Sequence, residues 1–125
     1  MQKSITVKIR DNEYAVNFPT AGDLIDIEVR KAVISRSQYY GLLNNATVTS
    51  TFALDLIDTA ANFSVLIPDL MEDLNVDSIL DLSIPDAHEI VEAYKKQFSP
   101  WYDEWLKVIS GASEDDDNCK KQEDE

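Results

Sequence analysis

The chain has 125 residues, which is enough for one domain with a single core, and 44 % of them are hydrophobic, as in an ordinary globular protein. A net charge of −13 disfavours direct binding to nucleic acid or to an anionic membrane, because phosphate groups would be repelled. No apolar run approaches the roughly 18 residues of a membrane span, the opening MQKSITVKIR has no apolar h-region, and Cys119 is the single cysteine, so the sequence predicts a cytoplasmic protein.

The first elements predict a β-hairpin. Ile5 to Ile9 and Tyr14 to Phe18 each alternate apolar and polar side chains, the period of two that is typical of a half-buried strand. Between them, Asp11 to Glu13 form a polar stretch of the right length for a hairpin loop. A hairpin is marginally stable alone, so we expect it to pack on the rest of the chain.

A helix is predicted directly after the hairpin. Pro19 ends the second strand, Thr20 is a good N-cap, and Asp23 three residues later makes an acidic variant of the capping box. The helix is expected to run to about Ile34. Two rows of side chains recur along it at helical spacing: Leu24, Ile27 and Lys31 in one, and Ile25, Val29 and Ala32 or Val33 in the other.

Residues 35–49 show no sustained period and predict a loop. The loop is long, and long loops often carry function. Four large side chains are unusual in it: Tyr39, Tyr40, Leu42 and Leu43. They either fold back as a small satellite core or form a partner-binding surface, and we take them as candidate partner-binding residues.

A second helix is predicted from Thr49 or Ser50 to about Ile67, where Pro68 ends it. Residues 69–74 can form one short helical turn. The stretch 76–82 is compatible either with a short helix capped by Asp77 or with an extended segment.

Two further helices complete the predicted body. Ser83 caps the third, which runs to about Phe98, and the dipeptide Ser99-Pro100 begins the fourth, with Ser99 as its cap. Ser110-Gly111 is a stop signal. The fourth helix carries Trp101 and Trp105 one turn apart, and these two side chains either pack in the core or anchor a protein partner.

From Ala112 the composition changes to a polar, strongly acidic segment without large apolar side chains, which predicts disorder. The predicted fold class is therefore α+β. An N-terminal β-hairpin packs on about four helices in a single domain, residues 1–111, and an acidic disordered tail follows at 112–125.

The sequence shows no catalytic, cofactor-binding or metal-binding motif. Four oxygen-bearing side chains have a spacing similar to that of a calcium loop: Asp73, Asn75, Asp77 and Asp81. Ser78 and Ile84 stand where that loop needs glycine and glutamate, so an acidic connection is the better interpretation. His88 has only Glu92 beside it, and Cys119 lies in the predicted disordered tail. We therefore predict a protein that is not an enzyme and needs no cofactor.

The N-terminal third resembles the tail assembly chaperones of long-tailed bacteriophages. The resemblance rests on the strands Ile5 to Ile9 and Tyr14 to Phe18, on Pro19-Thr20, and on the acidic stretch Asp23 to Glu28 followed by Arg30-Lys31. It implies a role without chemistry. Such a protein coats the long, helical and apolar tape-measure protein, keeps it soluble and helps to recruit tail-tube subunits.

Two other functions fit the composition. An acidic DNA mimic would inhibit a nucleic-acid-binding enzyme, although it would array its acids over one face and here they are spread along all segments. A small regulatory adaptor is the second. For every alternative, the aromatic patches allow weak self-association, and the partner is a protein.

Overall fold

The computed structural model describes residues 3–44 and 47–110. They form an antiparallel β-hairpin followed by a helical body, which confirms the predicted α+β class. The predicted disordered tail, with Cys119, lies outside the described residues. The elements are β1 Ser4–Ile9, β2 Asn12–Asn17, α1 Ala21–Ile34, α2 Tyr39–Asn44, α3 Val48–Leu66, α4 Pro68–Leu74, α5 Ile84–Ala93 and α6 Ser99–Ser110.

The hairpin turn is shorter than predicted and lies one residue earlier. Ile9 pairs with Asn12, so only Arg10 and Asp11 form the turn, and the predicted loop residues Asn12 and Glu13 belong to β2. Arg10 has a φ of 57°, a left-handed conformation that is uncommon for arginine. Because arginine is not a residue that indicates such a turn, the sequence did not predict a two-residue turn at this position.

The capping box at the start of α1 is present as predicted. The Thr20 side chain accepts a hydrogen bond from the Asp23 amide at 3.1 Å, and the Asp23 carboxylate accepts one from the Thr20 amide, also at 3.1 Å. Two amide groups that would otherwise lack a partner are satisfied in this way. The helix ends at Ile34, where the sequence predicted it to end.

The prediction of a loop over residues 35–49 is wrong for much of its length. Tyr39–Asn44 form α2, and α3 already begins at Val48. The N-cap of α3 is Thr47, whose side chain accepts from the Ser50 amide at 3.0 Å while Ser50 accepts from the Thr47 amide at 2.7 Å. Ser50 is thus the N3 residue of the capping box, three positions after the cap, and not the cap itself.

A bend at Ile67 separates α3 from α4, which starts with Pro68 as a proline-initiated helix. The stretch after α4 forms a 3-10 turn at Ile79–Asp81, and its cap is Ser78 instead of Asp77. Within the described residues no single helix is long and apolar enough to cross a membrane. The segments Val48–Leu66 and Pro68–Asp81 reach that length and composition only together, and they are bent by 106°.

The predicted break between the last two helices is absent. Ser99 has helical φ and ψ values of −59° and −42°, so it is not an extended N-cap. A π-helical turn at Tyr94–Phe98 joins α5 to α6, and the Ser99 amide bonds to the Tyr94 carbonyl five residues back. The wider turn ends just before Pro100, which accounts for a proline inside an otherwise continuous helical run.

The core forms where the inner face of the hairpin meets the helices. Val7 and Val16 are completely buried, and between them they close one side of this core. Their burial removes apolar surface from water, at about 25 cal/mol per Å². The helices contribute these buried side chains: Ala60, Phe63, Leu70, Ile79, Ile90, Phe98, Trp101 and Tyr102.

Gln97 occupies the outer edge of β1. Its side-chain oxygen accepts from the Lys8 amide at 2.7 Å, and its side-chain nitrogen donates to the Lys8 carbonyl at 2.8 Å. One side-chain amide thus pairs with β1 as a neighbouring strand would. This contact attaches the π-helical turn to the sheet and protects an edge that could otherwise pair with another chain.

Candidate functional site

An ionic centre joins α1, α2 and α3. The Lys31 ammonium lies 3.0 Å from Oε2 of Glu28 and 3.6 Å from Oδ1 of Asp58. The Tyr39 hydroxyl donates to the same Asp58 carboxylate, and the ring of Tyr39 lies 5.3 Å from the Lys31 nitrogen. One ammonium group, two carboxylates and an aromatic ring are therefore in contact within one cluster.

Burial shapes the protonation of this cluster. It raises the pKa of Asp58, although the nearby Lys31 charge acts in the opposite direction. Burial also raises the pKa of Tyr39, and the negative Asp58 adds to the effect. For Lys31, burial acts to lower the pKa, but the hydrogen bond to Glu28 and the charges of Asp58 and Glu28 outweigh it and the pKa is raised. Lys31 is therefore charged and Tyr39 neutral near neutral pH.

Asn62 forms a hydrogen bond with the backbone of Asp58, one of the residues of the ionic centre. It is buried in α3, and its side-chain nitrogen donates to the Asp58 carbonyl at 2.8 Å and lies 3.4 Å from the Tyr94 hydroxyl. Its Oδ1 atom has no hydrogen-bond partner in the described part of the chain. A buried amide in this position ties α3 to the π-helical turn.

A groove of about 220 Å³ opens above the ionic centre. Its chemistry is mixed, because the charged groups of Glu28 and Lys31 line it together with Tyr39 and Tyr40. It can hold an apolar side chain next to a positively charged one. The lining residues are Glu28, Lys31, Ala32, Ser35, Ser37, Tyr39 and Tyr40.

The four predicted binding residues of the former loop divide into two pairs. Tyr39 and Leu42 are partly buried, as the satellite-core interpretation expects. Tyr40 and Leu43 are 72 % and 48 % exposed, as a binding surface requires. We call Tyr40 and Leu43 the α2 surface. The rings of Tyr39 and Tyr40 pack edge to face, with 5.5 Å between their centroids. The exposed Tyr40 is therefore supported by the partly buried Tyr39.

The two tryptophans lie mainly inside. Trp101 is only 8 % exposed, and the ring of Phe18 packs on it edge to face at 5.3 Å. The structure thus places Trp101 in the core and not on an exposed face, because the end of the hairpin covers its indole ring. Trp105 is partly buried, 4.9 Å from Phe18. Of the two tryptophans, only Trp105 retains surface that a partner could contact.

The second row of side chains that the sequence predicts along α1 was not selected as a candidate binding site, yet it is exposed. Ile25, Val29 and Val33 are 63 %, 55 % and 71 % exposed, and we call them the α1 stripe. Ile27, which lies on the other side of the helix, is completely buried. The available signal was the presence of two apolar rows on one helix, since only one of them can face the core.

One residue of the calcium-loop pattern, Asp73, makes a structural contact with the hairpin. Asp73 accepts a hydrogen bond from the Tyr14 hydroxyl at 2.7 Å, which attaches the C-terminal end of α4 to β2. In residues 3–44 and 47–110, no group of three or more His, Cys, Asp or Glu side chains is placed to hold a metal ion. His88 and Glu92 lie 3.8 Å apart on an exposed helix face, as a pair one turn apart does.

The candidate site is a partly exposed surface on α1, α2 and α3 that combines charged and aromatic side chains. Comparison of the chain with protein-family models, with curated proteins and with solved structures finds no match in any of the three.

Proposed function

We propose that this protein is a non-enzymatic assembly chaperone of a bacteriophage tail, which binds and solubilises the tape-measure protein and helps to recruit tail-tube subunits. The observation that carries the proposal is the exposure of Tyr40 and Leu43 beside a groove with ionic groups, on a chain with a net charge of −13. A chaperone of this kind needs an apolar surface for its client and enough like charge to keep the coated complex dispersed.

The chemistry of the groove suits a helical client. An apolar side chain of a client helix can pack on Tyr40 and Leu43, while a basic neighbour reaches the acidic group Glu28 in the groove. Tyrosine side chains are effective anchors, since they offer a large contact area and lose little conformational entropy on binding. The resemblance of the hairpin and of the Pro19-Thr20 segment to tail assembly chaperones agrees with this client class.

The test is co-expression with the helix-rich product of a long reading frame adjacent to the gene. We expect that product to be soluble and to co-purify with the chain. The double variant Tyr40→Asp, Leu43→Asp should lose the client, and Ile84→Asp should retain it, because Ile84 is 72 % exposed on a different helix. Circular dichroism shows whether each variant is folded.

Three outcomes would contradict the proposal. The first is the absence of any long, helix-rich reading frame beside the gene. The second is a client that remains insoluble with the folded wild-type chain. The third is the recovery of a nuclease or restriction enzyme as the partner, which would support the DNA-mimic alternative instead.

A further inference from the structure

The α1 stripe is accompanied by two charges that have no partner within the chain as described. Asp26 and Arg30 are exposed on the same flank of α1. Among the described residues neither of them takes part in an ion pair, whereas Lys31 and Glu28 on the other flank pair with each other. A shallow depression on this flank is lined by Asp26, Val29 and Arg30 together with residues of α3.

We propose that the α1 stripe is the contact surface of a homodimer, in which α1 of one copy packs antiparallel on α1 of a second copy. In a symmetric dimer the same patch serves both copies, so it must be complementary to itself. When the twofold axis passes near Val29, Ile25 lies opposite Val33 of the second copy and Val29 lies opposite itself. Each side chain of the α1 stripe then contacts a side chain of the same stripe in the second copy.

The charges follow the same symmetry. In an antiparallel pair the twofold axis brings equal flanks together and reverses the direction of the helix. Asp26 of one copy therefore lies opposite Arg30 of the other, and this contact occurs twice. Flanking charges of opposite sign set the partner and the orientation of paired helices. In a parallel pair the twofold axis would run along the helices and bring unequal flanks together, so Asp26 and Arg30 would not face each other.

This complementarity favours a second copy over a different protein. The stripe is apolar along its length, and the flank carries one charge of each sign, on either side of Val29, as an antiparallel copy requires. The small side chains Ala21 and Ala32 lie beside the stripe and permit close approach of two helices. The inference does not rest on the proposed chaperone function, which uses the α2 surface.

The dimer is expected to be weak. α1 has 14 residues, and the contact of one such helix falls below the approximately 1,200 Å² of a standard stable interface. The net charge of −13 on each copy opposes association. Association should thus depend strongly on protein concentration and be strengthened by moderate salt, which screens the repulsion between whole copies.

Analytical ultracentrifugation of the full chain over a concentration series tests the proposal. We expect a monomer–dimer equilibrium for the wild-type chain and loss of the dimer in Val29→Asp. Ile84→Asp is the matched control, because it places the same acid on an equally exposed apolar position outside the stripe, and it should dimerise like the wild type. Circular dichroism confirms that each variant is folded.

Charge reversal tests the orientation. Asp26→Arg and Arg30→Asp should each weaken self-association about tenfold, because like charges then face each other across the axis. An equimolar mixture of the two variants should form a heterodimer at least as tight as the wild-type dimer, since every facing pair is again of opposite sign.

The proposal is overturned by a wild-type chain that stays monomeric throughout the series, or by a dimer that Val29→Asp leaves unchanged. A mixture of the two charge variants that associates no better than each alone excludes the antiparallel arrangement. A stripe that binds only a different protein, with no self-association, also overturns it.

Discussion

The Tyr39 hydroxyl lies 2.9 Å from Oδ1 and 3.1 Å from Oδ2 of Asp58, so one donor on α2 is shared by both oxygens of a carboxylate on α3. This contact holds a helix of only six residues, which would not be stable by itself. It also orients Tyr40, the neighbouring residue on the exposed side. The α2 surface therefore depends on a bond that is not itself part of the surface.

Removal of this hydroxyl should destabilise the protein. Tyr39→Phe is expected to lower the free energy of unfolding by about 1 kcal/mol, below the usual range for a hydrogen bond to a charged group, because Asp58 is partly exposed and keeps Lys31 as a partner. Urea unfolding measures the change. Tyr40→Phe is the matched control and should change stability by less than about 0.5 kcal/mol. Equal losses in both variants would contradict the assigned role of Tyr39.

Stability should fall at alkaline pH. Burial, and then the hydrogen bond to Asp73, raises the pKa of Tyr14 from 10.0 to about 12. The unfolded chain therefore loses the Tyr14 proton at a lower pH than the folded chain does. The stability that the protonated Tyr14 contributes is fully present below pH 10 and is lost as the pH rises towards 12. The pKa of Tyr39 and that of Lys31 are also raised, so their contributions have the same sign.

Unfolding in urea at a series of pH values tests this expectation. The wild-type midpoint should decrease steadily above pH 10, and Tyr14→Phe should show a shallower decrease because one of the titrating groups is gone. A variant whose slope equals that of the wild type would show that Tyr14 does not hold its proton in the folded state.

The two hydrogen bonds between Gln97 and β1 should contribute to the stability of the protein. Gln97→Ala removes two hydrogen bonds to the Lys8 backbone and should cost about 1 kcal/mol, since water can reach these exposed groups in the variant. Gln97→Glu should cost more, because it replaces the donor to the Lys8 carbonyl by a negatively charged oxygen. Urea unfolding gives both values. If Gln97→Glu were the milder change, the amide would not bridge β1 in this way.

The capping box of α1 is open to a direct test. Thr20→Ala removes the acceptor for the Asp23 amide and should lower stability by about 1 kcal/mol. Thr20→Ser retains a hydroxyl at the same place and should stay within about 0.5 kcal/mol of the wild type. Thermal unfolding followed by circular dichroism distinguishes the two. Equal losses would mean that the methyl group of Thr20, and not its oxygen, contributes the stability.

The elements that the sequence predicted well are those with a local cause. Thr20 and Asp23 are three residues apart and satisfy each other, and the alternation in both strands needs only the period of a pleated sheet. The prediction failed at Ser99-Pro100, where a cap and a proline usually start a helix. There the widened turn at Tyr94–Phe98 makes a continuous helix compatible with proline.

The candidate site was predicted in part. Tyr40 and Leu43 were selected from a segment that was expected to be a loop, and they are exposed on a helix. Lys31 and Asp58 were not selected, because their contact joins residues far apart in the chain and leaves no local pattern. Trp101 was selected for its residue type, but the packing of Phe18 on its ring is also a long-range contact.

The sequence by itself determined the strand period, the cap of α1, the acidic charge and the presence of two apolar rows on that helix, because each of these follows from residue spacing and composition. Only the tertiary structure decided which row is buried. Ile27 faces the core and Ile25, Val29 and Val33 face solvent, since α3 covers one side of α1. The burial of a side chain depends on what the rest of the chain places beside it, and helical periodicity alone does not contain that information.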